Sequence, residues 1–299
     1  MNKQLKPKPL ACMFLLSLSL LTGGSAIAQQ QEVNIRFDAE INGKAFSCGQ
    51  TYNNIGTKKS SVTPSDFRMY ISEVHLIDEK GNPVEVNLTQ DQTWQLDNVA
   101  LLDFENGTGP CRNGTPPLNQ TIRGNIAPGK YTGLQFTMGV PFARNHGDPT
   151  VAPAPLSSTA MFWNWQGGYK FLKFDMASHD QNDPKNPTKS SAGVNASGFS
   201  VHLGSTLCAS AGKTVAPGIE CKNPNRVKVT FNQFDPKKNM VIADIGTVLS
   251  QSNVDINTPN TPSGCMSFLG DVDCESIMPM FGLPYADRTA STQQFFKVR

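Results

Sequence analysis

Met69-Tyr70-Ile71-Ser72-Glu73-Val74-His75-Leu76-Ile77, then Asp78-Glu79-Lys80-Gly81-Asn82-Pro83, then Val84-Glu85-Val86-Asn87-Leu88 is the stretch whose reading decides the fold. An extended apolar run, a cluster of turn formers and a second β-prone run together predict a hairpin. The same grammar recurs on either side. Val33, Ile35 and Phe37 alternate with Asn34, Arg36 and Asp38, the two-residue period of a half-buried strand, and Asn42-Gly43 marks a tight turn after it. Further strands are predicted over residues 99–104, 131–138, 161–165, 169–174, 199–203, 227–231 and 240–245. Helical signals are few: one or two turns over residues 244–249, and a cap at Ser65-Asp66. Many short strands separated by Gly, Pro and Asn turns imply an all-β chain, an antiparallel sandwich or barrel-like single domain. Two long polar stretches, residues 177–198 and 250–264, read as loops within that domain, since single strands rather than whole cores flank each.

The N-terminus reads as an address. Lys3, Lys6 and Lys8 precede a twelve-residue apolar run over residues 10–21, and Ala26-Ile27-Ala28 is a small-x-small cleavage site. This is the pattern of a cleaved secretory signal over residues 1–28, too short for a membrane span, which needs about 20 residues. The remaining β domain runs over residues 29–299. Removing three of the 26 basic residues leaves 23 against 24 acidic, a net charge of −1. No basic stripe survives to bind nucleic acid, and no other run approaches spanning length.

Six of the seven cysteines lie beyond residue 28: Cys48, Cys111, Cys208, Cys221, Cys265 and Cys274. An even number in an exported chain implies disulfides. Composition leaves the pairing open; proximity favours Cys208 with Cys221 and Cys265 with Cys274, leaving Cys48 for Cys111. Thiolate metal binding is the weaker reading, because no C-x-x-C pair occurs.

The catalytic signatures are missing. There is no G-x-S-x-G, no H-E-x-x-H, no Walker loop and no G-x-G-x-x-G, and four histidines offer few general bases. Asp180 and Asp183 read as a solvated turn rather than a calcium site. Among the histidines, His202 falls between Val201 and Leu203, so a strand would turn it away from the core onto an accessible face. His146 lies in Ala143-Arg144-Asn145-His146-Gly147-Asp148, a loop following a strand. Neutral imidazole suits copper, so both are candidate ligands, although on sequence grounds alone each reads first as an ordinary surface histidine. His75 and His179 read as ordinary. The densest cluster is Met161-Phe162-Trp163-Asn164-Trp165-Gln166-Gly167-Gly168-Tyr169-Lys170-Phe171, with Trp163 and Trp165 two residues apart and therefore on one strand face. On periodicity alone it is an aromatic core strand.

That cluster resembles the MbnP family, the metallo-mystery pair proteins with a four-Cys motif. Asp66-Phe67-Arg68-Met69-Tyr70-Ile71-Ser72, Val99-Ala100-Leu101-Leu102-Asp103-Phe104, Gly133-Leu134-Gln135-Phe136-Thr137-Met138-Gly139-Val140-Pro141, Asn145-His146-Gly147-Asp148, His202-Leu203-Gly204-Ser205-Thr206, and Cys208, Cys265 and Cys274 carry the resemblance further. It implies a periplasmic copper-binding protein in copper homeostasis, binding Cu(I), with a di-haem partner of the MauG-like kind (MbnH type) that oxidises a tryptophan to kynurenine. Ring opening turns an indole into an aniline nitrogen and a ketone, a donor that the translated sequence lacks. Carried over to this chain, His146, His202 and the modified residue hold the metal. Trp163 is the first candidate for modification, Trp165 the second and Trp94 the third. Met278 and Met280 are further soft donors, although Met more commonly fills gaps in a core. The implied role is binding rather than turnover. A metal-free carbohydrate-binding or adhesion sandwich is the alternative, and an unrecognised hydrolase comes last.

Overall fold

A single strand, Ser60–Asp78, organises the larger of two sheets. In the computed structural model, which describes Met1 and residues 29–179 and 198–299, this strand runs 19 residues, well past the predicted start at Met69. Along one edge it pairs antiparallel with Tyr131–Met138 and then with Gly168–His179. Along the other edge it pairs with Pro83–Glu85, Val99–Asp103 and Tyr52–Ile55. The predicted hairpin therefore forms, but its return limb splits. Pro83–Glu85 stays with the long strand, whereas Asn87–Leu88 crosses to the second sheet beside Thr121–Ile126.

Ser65 and Asp66, expected to cap a helix, lie inside the long strand instead. Pro64 nearby cannot donate a ladder hydrogen bond. The register with the neighbouring strand slips at that point, between Asp175 and Met176, which accommodates the missing donor.

The sheet continues from Gly168–His179 to Phe199–Gly204 and on to Gly264–Cys265, and at its far side from Tyr131–Met138 to Val227–Phe231. The second sheet orders Phe296–Val298, Val241–Asp244, Gln31–Ile41, Thr121–Ile126 and Asn87–Leu88. Two pairings are parallel, Gln31–Ile41 with Val241–Asp244 and Phe199–Gly204 with Gly264–Cys265; the rest of the ladder is antiparallel. Neither sheet closes into a barrel among the described residues. Their inner faces meet in one apolar core. Val33, Ile35 and Phe37 point into it, as their alternation requires, and Phe37 meets Phe136 of the other sheet edge-on at 5.5 Å. Phe67 packs edge-on against Phe174 at 5.2 Å and is wholly buried, a side chain contributing about 1.5–3 kcal/mol by removal from water.

Helix is scarce, as expected. Ile245–Leu249 is helical and Asp244 caps it, accepting from the Gly246 N–H. The polar stretch over residues 250–264 is no boundary: Val254 is fully buried, and the Asp255 carboxylate accepts from the Ser60 hydroxyl at the start of the long strand. Of the other stretch, residues 177–179 extend the strand Gly168–His179 and Gly198 precedes the next. Asp180 and Asp183, like the signal segment, lie outside the described residues. Three disulfides join Cys48 to Cys111, Cys208 to Cys221 and Cys265 to Cys274, the pairing that proximity favours.

Candidate functional site

The aromatic cluster folds as a short strand, Phe162–Asn164, a turn, and the start of the strand Gly168–His179. Gly168 is required twice over. Its φ is +76°, and a Cβ there would stand 2.4 Å from the Asn145 carbonyl oxygen. This close approach brings the loop after helix Phe142–Asn145 against the turn. Asn145, buried, then ties three segments together. Its Oδ1 accepts from the Tyr169 N–H at 3.0 Å, and its Nδ2 donates to Ser205 Oγ at 3.2 Å, just beyond the strand Phe199–Gly204.

His146 follows directly and is buried. Its Nδ1–H donates to the carbonyl of Trp165 at 3.1 Å, which fixes the tautomer and leaves the lone pair on Nε2. Nε2 faces the Asn145 amide at 3.1 Å and Cys221 Sγ at 3.6 Å. Sγ of Cys208 and of Cys221 gather with this ring within 4.8 Å, but they are bonded to each other and offer no thiolate. Burial lowers the imidazole below its ordinary value, so the ring is neutral at neutral pH.

Trp163 and Trp165 do not share a face. The strand ends at Asn164, so Trp165 falls in the turn and is 39% exposed, whereas Trp163 is half-buried. The Trp163 ring lies over Gly204 and Gly167, and stacks at a tilt on Phe268, centroids 5.3 Å apart. Gly204 is two residues beyond His202 on the same strand face. Trp94 sits in a bend just before the short strand Gln95–Leu96, its carbonyl accepting from the Leu101 N–H, and packs against the core.

His202 faces away from the core as the alternation requires, but that face is covered, not accessible: the residue is 8% exposed. Its neighbours are charged: Lys173 and Asp175 on the adjoining strand are half-buried, and Asp66 and Arg68 on the strand beyond are buried. Nε2 pairs with Asp175 Oδ1 at 2.7 Å; Asp175 Oδ2 meets Lys173 Nζ at 2.8 Å; Lys173 also meets Asp66, and Asp66 is forked by Arg68, Nε to Oδ1 at 2.8 Å. Register explains the chain: Lys173 lies opposite both His202 and Arg68, and Asp175 opposite Asp66. Burial lowers His202 and outweighs the pull of Asp175. Burial alone would raise Asp175, but His202 and Lys173 hold it well below the usual carboxylate range. The pair is thus a neutral imidazole donating to an ionised carboxylate. Lys170, whose Nζ donates to the Ala160 carbonyl at 2.9 Å, is lowered to about 8 by burial and then by Lys173.

The structure therefore brings His146, Trp165 and the 208–221 disulfide together, and sets Trp163 on the His202 strand. His146 and His202 share no hydrogen-bond partner among the described residues. The charged chain from Arg68 to Asp175 escaped the sequence reading, although its signal was there: Asp66-Phe67-Arg68 and Lys173-Phe174-Asp175 alternate charge with buried aromatics. His75 is an ordinary strand residue, its Nδ1 meeting the Glu73 carbonyl at 2.8 Å. Met278 is buried and Met280 packs against the core.

A family model, MbnP, matches residues 30–267. The solved structure of MbnP from Methylosinus trichosporium is similar at a TM-score of 0.75 and 29% identity, over 90% of this chain and 98% of that one. No curated protein sequence matches the chain.

Proposed function

The chain belongs to the MbnP family, and from that premise we propose that it is an exported, periplasmic copper-binding protein whose site includes a tryptophan opened to kynurenine by a MauG-like di-haem partner. The observation that carries the reading is the state of the two imidazoles. Each is buried and lowered, each has one ring nitrogen committed as a donor, and each therefore keeps a lone pair on the other. Neutral imidazoles in a dry setting fit Cu(I), a soft cation that binds without needing anionic ligands. His146 Nε2 would give up a single amide donor to take a metal, and His202 Nδ1 has no hydrogen-bond partner among the described bonds.

Trp163 is the residue assigned to modification. It leans on the His202 strand, whereas Trp165 is exposed in the turn and Trp94 lies in a bend before the strand Gln95–Leu96. An aniline nitrogen in place of its indole would add a donor beside that strand. Three disulfides fit an oxidising compartment, and no described helix is long and apolar enough to cross a membrane. The role is binding within copper homeostasis, with no turnover. The test is Cu(I) affinity, by chelator competition, of protein from its own cells. His146→Ala and His202→Ala should each weaken it at least tenfold; unchanged affinity in both removes the reading.

A further inference from the structure

A buried chain of ions is a poor device for stability. Desolvating the charges consumes most of what their attraction returns, and apolar residues of equal volume commonly do as well. Here the chain Arg68–Asp66–Lys173–Asp175 is buried at Arg68 and Asp66 and half-buried at Lys173 and Asp175, and it terminates on an imidazole. Asp175 is held from both sides: one oxygen meets Lys173 and the other meets His202. Lys173 is in turn fixed by Asp66, and Asp66 by the Arg68 fork. Rotation of the Asp175 carboxylate would break a contact at either end.

We propose that Asp175 is a positioning residue: its carboxylate holds the Nε2–H of His202 and so makes Nδ1 the nitrogen that this ring offers to a metal. The inference rests on the copper reading for what Nδ1 does, and on geometry alone for the tautomer. Two neighbours supply its setting. Trp163 packs over Gly204 on the same strand, and Ser267 Oγ donates to the His202 carbonyl at 2.9 Å, fixing the backbone beside the ring. A carboxylate behind a ligating imidazole orients it and raises its basicity, and loss of such a partner typically weakens binding about 10- to 100-fold.

The test begins on the metal-free wild-type chain, at a pH where the ring is neutral. Ring nitrogen chemical shifts report the tautomer, with His202 assigned by comparison with His202→Gln. The Nε2–H form is expected; a proton on Nδ1 overturns the proposal without any variant, so a misfolded mutant cannot shelter it. Asp175→Ala should lose the single tautomer, and in protein from its own cells should weaken Cu(I) binding about 10- to 100-fold, with Asp175→Glu recovering most of both. Asp175→Ala with the wild-type tautomer and wild-type affinity also overturns it. His202→Ala keeps the two readings apart. Unchanged copper affinity there defeats His202 as a ligand, while the tautomer measurement still judges the coupling to Asp175.

Discussion

At Gly204 an added methyl would stand 2.5 Å from Cζ3 of Trp163 and 2.9 Å from the Tyr169 carbonyl oxygen. The first neighbour is a large ring and the second is backbone, so neither yields cheaply. Gly204→Ala should therefore cost about 1–3 kcal/mol and displace the indole. Thermal unfolding reads the first effect and tryptophan emission the second; a variant with wild-type values of both would show that the ring does not rest there. Asp103 sets a pH dependence. Burial, then the neighbouring Glu105, push its carboxyl up to about 8, against about 4 in an unfolded chain. The folded state keeps a proton that the unfolded state sheds between those values, so this contribution is complete below about pH 4 and declines as pH rises to about 8. His146 and His202, lowered by burial, act oppositely, but only below about pH 6.5. Denaturation midpoints should thus fall between about pH 6.5 and 8, and Asp103→Asn should flatten the slope; a wild-type profile that rises over that window contradicts the assignment. His146 and His202 stood out from His75 and His179 through the family resemblance, since imidazole chemistry alone does not separate the four. Asp175 did not, because a charged residue opposite a core face reads as solvated until a neighbouring strand covers it.

Among the elements, the strands that sequence found carry either an apolar alternation, as in Val227–Phe231, or a continuous apolar run, as in Val99–Asp103. Thr121–Ile126 went unseen because Gly124-Asn125 reads as a turn. In the fold Gly124 is there for space: a Cβ would approach the Asn87 carbonyl oxygen to 2.6 Å, where the return limb of the hairpin pairs with this strand. The disulfides separate stability from function. By the chain-entropy account, removing Cys48–Cys111, which spans 63 residues, should cost about 4 kcal/mol, and removing Cys208–Cys221, which spans 13, about 3 kcal/mol. Only the second touches His146. Paired Cys→Ser variants should therefore both lower the denaturation midpoint, while only the 208–221 pair also weakens copper binding. Equal copper affinity in the two variants would place His146 outside the site.

On the scale of the whole molecule, alternation and turn chemistry were enough for an all-β domain, because a strand's period is written in consecutive residues. Which strands become neighbours is not local. The parallel pairing of Val241–Asp244 with Gln31–Ile41, and of Gly264–Cys265 with Phe199–Gly204, joins segments far apart in the chain, and no local pattern announces it. The candidate site has the same origin: residues 145–146, 163–169, 202–205 and 221 meet only because the sheet and one disulfide fold them together. The modification at the centre of the account is written in neither sequence nor backbone, since another enzyme would make it. The intact mass and copper content of the protein purified from its own cells test that directly. The account predicts one tryptophan converted to kynurenine, located by peptide mapping at Trp163, in material that retains Cu(I) against a chelator. Three unaltered indoles in protein that holds copper just as firmly would contradict it.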